Sequence, residues 1–455
     1  MKLSFLYQTF DSVLKEKDRE VRSVVIDSRI VQAGDIFFAI EGPNFDGHDF
    51  AQAALQQGAL AAVVSSPSLK GPQFIQVKDT VQALGHLAKQ WRARIDPHVL
   101  AITGSSGKTT VKELTAAILR HVYGPEKILA NLGNLNNHLG LPLTLLRLRE
   151  AHHWAVVEMG MNHPGEIRYL TGLAKPDIAL VNNVLRVHVG GGFNSLTDVA
   201  RAKAEIWEAL PQDGIAVIPK DSPSYKYLRM AAGGHLIRTF GTLKSEIYAT
   251  EVKQKEFSSS CCLHTPKGEI QIALPLPGSH NIHNLLAACA LLIDLPGMSL
   301  DGIAQGLQQY KNQPGRWYVS NLSNDSVLID DTYNANPDSM KAVLDVLACN
   351  PGKTVFVMGD MAELGEAALK MHEEVGEYAK LRGIDYLLGF GELTQRAVCA
   401  FGEKGIHFKD IEQLILKLYQ LMADPCSVLV KGSRFMRMER ICQTIRTEFT
   451  KNNRE

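Results

Sequence analysis

The sequence predicts an α/β protein of three domains: a small N-terminal α/β domain (residues 1–82), a central domain on a mostly parallel sheet (83–313) and a C-terminal Rossmann-like domain (314–455). Three observations predict it. The 455-residue length exceeds what one hydrophobic core organises, because domains usually hold about 100–200 residues. Short apolar runs alternate with helix-length segments, as in parallel strands joined by crossover helices. Finally, residues 99–113, VLAITGSSGKTTVKE, pass from an apolar run through a glycine turn into a helical pattern. That strand, loop and helix make the central domain P-loop ATPase-like.

In the first domain, strand-like runs at 23–26, 35–40, 61–64 and 74–77 flank an Ala/Gln-rich helical stretch at 49–57. Asp27-Ser28-Arg29 follows the first run, and Asn44-Phe45-Asp46-Gly47-His48 follows the second. Loops after strands are where hydroxyl, guanidinium and amide groups converge on ligands, although each stretch also reads as an ordinary turn.

A helix from Thr80 to about residue 94 leads into the glycine loop. Gly104 and Gly107 let backbone N–H groups approach an anion across Ser105 and Ser106; Lys108 reaches outer phosphates, and the Thr109 hydroxyl, followed by Thr110, can ligate Mg²⁺. The spacing is the short G-x-x-G-K-T-T form, and an isolated glycine turn beside a surface lysine is the plain alternative. Runs at 127–130, 154–159, 178–184 and 214–219 supply further parallel strands. One of them ends in Glu158, a carboxylate placed to share a cation with Thr109 if it is not merely solvated. His188 lies in a glycine-bearing loop and Lys203 in a helical segment (197–210); taken alone, such residues are usually structural or solvated. Residues 248–277, with a Pro-Lys-Gly turn at 266–268, read as an antiparallel excursion, and 278–293 as a helix.

The Asn312-Gln313-Pro314-Gly315-Arg316 loop marks the second boundary. Beyond it, runs at 327–330, 354–358, 386–389 and 427–430 again alternate with helices, and the charged tail 451–455 is expected to fray.

Composition narrows the function classes. Forty-eight basic residues balance 48 acidic ones, so there is no general attraction to nucleic acid or anionic membrane. No run reaches the ~20 apolar residues of a membrane span, and the first ten residues lack a signal-peptide pattern. A cytoplasmic location is expected. Seven cysteines without a C-x-x-C suggest neither a disulfide framework nor a zinc motif.

Taken together, these segments resemble the Mur ligases of peptidoglycan synthesis. The resemblance runs through DSR (27–29), GDIFFAI (34–40), NFDGHDF (44–50), TGSSGKTT (103–110), GNLNNHLGLPLTLL (133–146), EMGMNHPGEI (158–167), ARAKAEIW (200–207), GSHNIHN (278–284), DDTYNANPDSM (330–340), GDMAELG (359–365) and KGSRFMRME (431–439). It implies an amide-bond-forming ligase that uses ATP and Mg²⁺ to join D-alanyl-D-alanine to UDP-N-acetylmuramoyl-tripeptide through an acyl phosphate, acting as a monomer. It further implies that Lys108 and Thr109 hold phosphates and Mg²⁺, that Glu158 and His188 are metal ligands, and that Lys203 becomes carbamylated. Asn281 and Asn284 would lie near adenine, Arg316 near the phosphates, and Asp331 and Tyr333 near the nucleotide. Ser28, Arg29, Phe45, Asp46, Gly47 and His48 would face the UDP end of the sugar substrate, and Asn134, Asn136 and Asn137 its peptide. The stretch NVLRVHVGGG (183–192) departs from the family's N-[IV]-G-x-A-H-L-E pattern around the histidine. Other members of the superfamily, folylpolyglutamate synthetase included, and a nucleotide-hydrolysing switch are the competing readings.

Overall fold

The structure, a computed structural model, describes residues 1–14, 17–186, 192–241 and 244–451. Three sheets follow one another along the chain. The first is wholly parallel, in the order β1 (Val24–Val25), β2 (Ile36–Phe38), β3 (Ala61–Val64), β4 (Phe74–Gln76). The central sheet holds β5 (His98–Thr103), β6 (Ile128–Ala130), β7 (Trp154–Glu158), β8 (Ile178–Val181), β9 (Ile215–Pro219), β10 (Leu236–Gly241), β11 (Ile247–Gln254), β12 (Ser259–Thr265) and β13 (Gly268–Leu274). Their spatial order is 13-12-11-10-9-8-5-7-6, parallel from β11 to β6 and antiparallel through β11, β12 and β13. The third sheet orders β14 (Tyr318–Asn321), β15 (Val327–Asp330), β16 (Lys353–Gly359), β17 (Tyr386–Phe390), β18 (Gly405–Phe408) and β19 (Cys426–Lys431) as 14-15-19-16-17-18. Only its β14–β15 pair is antiparallel.

Strand alternation divides the cores. Along β5, Val99 and Ala101 point into one cluster, while Leu100 and Ile102 point into another on the opposite face. The second cluster is covered by the helices Lys108–Tyr123 and Ser279–Leu292. In the third sheet Phe356 and Met358 face one cluster, Val355 and Val357 the other. Both faces being buried explains why these strands read as continuous apolar runs.

The helix Thr80–Ile95 joins the first two units. Its Leu84, Leu87 and Trp91 belong to one cluster that also takes Ile36 and Phe38 of β2 and Val99 and Ala101 of β5. Asp79 caps its start by accepting from Gln82 N–H at 2.9 Å.

Among the elements that escape the sequence pattern are the helix Leu3–Thr9 and strands β10, β14 and β18. Strands β14 and β18, four residues each, lack any fully buried residue and β10 buries only the adjacent Thr239 and Phe240, so no alternating buried face imposes a period-two signature.

Candidate functional site

In the central sheet, β5 has the earlier connections running to one side, through β7 and β6, and the later ones to the other, through β8 and β9. At such a switch point the loops after neighbouring strands part and leave a crevice at the strand carboxyl ends. The glycine loop fills that position. Gly107 adopts φ +75° and precedes the helix Lys108–Tyr123. A Cβ there would run into the Asn284 and Asn182 side chains, so both space and backbone conformation demand glycine. Lys108 Nζ donates to the Gly104 carbonyl at 2.8 Å, folding back over the loop. Ser106 N–H donates to Asn183 Oδ1 at 2.9 Å, and Asn182 Nδ2 donates to the Ser106 carbonyl at 2.9 Å and to Asn284 Oδ1 at 3.0 Å. Asn284 Nδ2 in turn donates to Asn281 Oδ1 at 3.1 Å. The two helix asparagines thus buttress the loop through Asn182.

Glu158, at the end of β7, is 2% exposed. Its Oε2 accepts from Thr109 Oγ1 at 2.6 Å and its Oε1 from Asn136 Nδ2 at 2.7 Å. Burial opposes its ionisation, but Lys108, Arg316 and the Thr109 hydroxyl outweigh it and hold the carboxyl below its ordinary range. The result is a carboxylate and a hydroxyl side by side at a helix N-terminus, an oxygen donor pair of the kind Mg²⁺ takes. Burial, opposed by Glu158, depresses Lys108, and burial again, reinforced by Lys108, holds Lys203 well below the ordinary lysine value. Lys203, on the helix Leu196–Ala204, is 2% exposed and has no ion-pair partner among the described residues. His188 lies outside the described residues.

The third domain closes the crevice. Arg316 lays its guanidinium over the Tyr333 ring, 3.9 Å from the centroid. Asp331, following β15, accepts from Trp317 N–H at 3.0 Å and from Lys431 Nζ, which also donates to the Asn334 carbonyl at 2.9 Å. A cavity of about 650 Å³ is lined by Ser105 to Thr110, Asn134, Asn136, Asn137 and Glu158, by Asn281 and Asn284, and by Arg316, Asp331, Tyr333 and Lys431. Asn137 has a second role there, its Oδ1 accepting from Gly140 N–H at 2.8 Å at the start of the next helix.

The first-domain residues stand apart from that lining. Arg29 is held by a two-point contact with Asp27, Nη2–Oδ2 2.6 Å and Nε–Oδ1 2.9 Å, which pushes Asp27 down to about 2. Ser28 shares that 3₁₀ turn, beyond the carboxyl end of β1. Phe45 is 75% exposed. Gly47 lies in the same turn, its N–H donating to the Ile40 carbonyl at 2.9 Å. His48 is the turn's internal pin: its Nε2 accepts from Ser65 N–H at 2.9 Å, so the proton sits on Nδ1 and is donated to Asp46 at 2.6 Å.

Sequence reasoning missed Asn131, Asn182, Lys431 and His280. Asn131 Oδ1 accepts from Glu158 N–H at 2.7 Å, fixing the strand end. Asn131, Asn182 and Lys431 occupy or follow the carboxyl ends of β6, β8 and β19, the position that singled out Glu158, and that shared placement was the available signal. His280 lines the cavity, and burial pushes it down to about 4, so it is neutral at physiological pH.

Comparison with known proteins agrees with this layout. Three family models match consecutively: Mur ligase family, catalytic domain, over residues 20–92; Mur ligase middle domain over 102–292; and Mur ligase, glutamate ligase domain, over 315–434. The chain is 42% identical to the UDP-N-acetylmuramoyl-tripeptide–D-alanyl-D-alanine ligase of Escherichia coli (strain K12), over 98% of this chain and 99% of that protein. Among solved structures it is similar to MurF from Acinetobacter baumannii, with a TM-score of 0.91, 34% identity and 98% of each chain covered. It is also similar to MurF ligase from Thermotoga maritima in complex with ADP, with a TM-score of 0.83, 28% identity, and 95% of this chain and 99% of that one covered. With a glycine loop at the switch point, a third domain facing it, and matches running end to end, the chain belongs to the Mur ligase family.

Proposed function

We propose that this chain joins D-alanyl-D-alanine to UDP-N-acetylmuramoyl-tripeptide at the expense of ATP, releasing ADP and phosphate and giving the pentapeptide precursor of peptidoglycan. The observation that carries the proposal is the shared cavity: the phosphate loop and Glu158 form one wall, and Arg316, Asp331, Tyr333 and Lys431 the other. Two substrates and a nucleotide can therefore be held together and away from water.

Amide formation from a carboxylate and an amine is uphill in water. The terminal carboxylate of the tripeptide attacks the γ-phosphorus of ATP, and the bond to the ADP oxygen breaks. The dipeptide amine then adds to the acyl phosphate carbonyl, loses a proton, and the tetrahedral intermediate expels phosphate. Negative charge gathers on the γ-phosphoryl oxygens in the first step, where Lys108, the amides of residues 104–109 and Arg316 offset it. Thr109 and Glu158 would hold Mg²⁺, which when bound supplies further positive charge at the transferred group. Lys203 fits carbamylation because the reaction with CO₂ needs a neutral amine and burial depresses its protonation. His188 is retained as a proposed metal ligand. We assign Asn281 and Asn284 to the adenine side and Asn134, Asn136 and Asn137 to the peptide. Ser28, Arg29 and the 45–48 turn are assigned to the UDP end, with the domain division 1–82, 83–313 and 314–455. Among the described residues no helix is long and apolar enough to cross a membrane, and we place the reaction in the cytoplasm, carried out by a monomer.

Phosphate release, measured with nucleotide tripeptides ending in lysine or diaminopimelate, tests the reading. Turnover should require both a tripeptide and D-alanyl-D-alanine. Equal release without the dipeptide would mark a nucleotide switch instead.

A further inference from the structure

The antiparallel corner of the central sheet takes no part in this chemistry, yet its outer face gathers a distinctive set of side chains. Cys261, Leu263, Ile272 and Leu274 point into the core. The alternate residues, Cys262 and His264 on β12 and Glu269 and Gln271 on β13, share the opposite face with Tyr248 and Thr250 of β11. Register sets His264 between Tyr248 and Glu269, and Cys262 between Thr250 and Gln271. Cys262 Sγ, a His264 ring nitrogen and a Glu269 carboxylate oxygen all lie within 4.8 Å of one another. His264 Nδ1 is 3.2 Å from Glu269 Oε2, and its Nε2 is 2.7 Å from Thr250 Oγ1. The ring stacks on Tyr248, with centroids 4.5 Å apart and planes 6° from parallel.

We propose that Cys262, His264 and Glu269 form a binding site for a divalent transition metal, Zn²⁺ foremost, with water in the fourth position. Two donors bound tetrahedrally at about 2.0–2.1 Å stand roughly 3.3 Å apart, and the Nδ1–Oε2 separation already meets that. The thiolate bond, about 2.3 Å long, needs a closure of the remaining donors of roughly 1 Å, within reach of side-chain rotation. Outer contacts are in place: Thr250 Oγ1 lies 2.7 Å from Nε2 and can accept its proton once Nδ1 is bound to metal, and Tyr248 fixes the ring plane. A bulge between Thr250 and Lys253, with Glu251 at φ +52°, adds a second carboxylate nearby, held by Gln271 Nε2 at 3.2 Å. Thiolate and imidazole select against Mg²⁺, so the site does not compete with the phosphate loop for its cation. Burial and the Glu269 and Glu251 carboxylates push the Cys262 thiol up. Metal binding must therefore displace the thiol proton to solvent as the sulfur–metal bond forms, and affinity rises with pH.

The test is a Co²⁺ titration of the reduced, chelator-stripped full-length protein in excess Mg²⁺, followed by Zn²⁺ competition. A thiolate-bound Co²⁺ gives a sulfur-to-metal charge-transfer band that a cation held by oxygen donors at Thr109 and Glu158 does not. One equivalent should bind with that band and be displaced by Zn²⁺. The band should vanish in Cys262→Ser, and affinity should fall about tenfold or more in His264→Ala and in Glu269→Gln. It should persist when the exposed Cys349 and Cys399 are both serine. Glu269 has a 69% exposed side chain, so its substitution leaves folding intact even if Cys262→Ser does not. Absence of the band, its survival in Cys262→Ser, or unchanged affinity in Glu269→Gln overturns the proposal.

Discussion

Replacing Glu158 by glutamine removes one charge while preserving shape. The wild-type carboxylate accepts from Thr109 Oγ1 at 2.6 Å and from Asn136 Nδ2 at 2.7 Å. An amide can keep its oxygen toward Asn136, which only donates, and present its NH₂ to Thr109, whose hydroxyl then turns to accept. Both hydrogen bonds survive, so the fold should lose no more than about 1 kcal/mol. The charge does not survive. At an effective dielectric of about 20, a unit charge ~4 Å from another is worth about 4 kcal/mol. Mg²⁺ carries two charges, but Lys108 and Arg316 already offset part of the Glu158 field, so we keep the figure at about 4 kcal/mol. With tenfold per ~1.4 kcal/mol, kcat/KM at limiting Mg²⁺ should fall about 10³-fold. Phosphate release across a Mg²⁺ titration, paired with thermal melting, reads both quantities. Activity within tenfold of wild type at limiting Mg²⁺, with an unchanged melt, would refute the reasoning.

Four further outcomes are expected. Arg29→Ala should raise KM for the UDP-sugar peptide about tenfold or more, because a charge-assisted contact to the diphosphate is lost; KM for ATP should stay put, and separate substrate titrations check this. Lys203→Arg should abolish ligation and the carbamate signal given by isotopically labelled bicarbonate in the wild type. Lys203→Met should alter the pH dependence of stability: the folded value lies below the unfolded value near 10.5, so between the two the unfolded chain binds more protons. Wild-type stability therefore gains with rising pH there, and the substitution should flatten the gain in melts run against pH. Gly107→Ala should abolish nucleotide binding, measured by calorimetry, because its Cβ collides with Asn284 and Asn182 at φ +75°.

The sequence exposes what periodicity and spacing encode. The apolar run 99–102 and the glycines around Lys108 specify strand, loop and helix within a few residues, and the structure has them as β5 and the helix Lys108–Tyr123. Glu158 was legible because a carboxylate closes a buried strand. What was hidden depends on contacts between segments far apart in sequence. Nothing local in Asn182 announces that it links Ser106 to Asn284, 102 positions away. Lys431 reads as the polar end of β19 until the fold sets it against Asp331, 100 positions away. His48 reads as part of a polar turn, and only the fold brings its ring nitrogens to Ser65 and Asp46 within the first domain. The helix Leu3–Thr9 buries only Leu3, Leu6 and Tyr7, too few positions for a helical period to stand out.

The central claim is that a carboxylate is activated by phosphoryl transfer before the amine attacks. It is tested most directly by labelling the terminal carboxylate of the nucleotide tripeptide with heavy oxygen and analysing released phosphate by mass spectrometry after turnover with D-alanyl-D-alanine. The account predicts one labelled oxygen in each phosphate, because the bond that breaks in the second step lies between the acyl carbon and that oxygen. Unlabelled phosphate released alongside pentapeptide would contradict it.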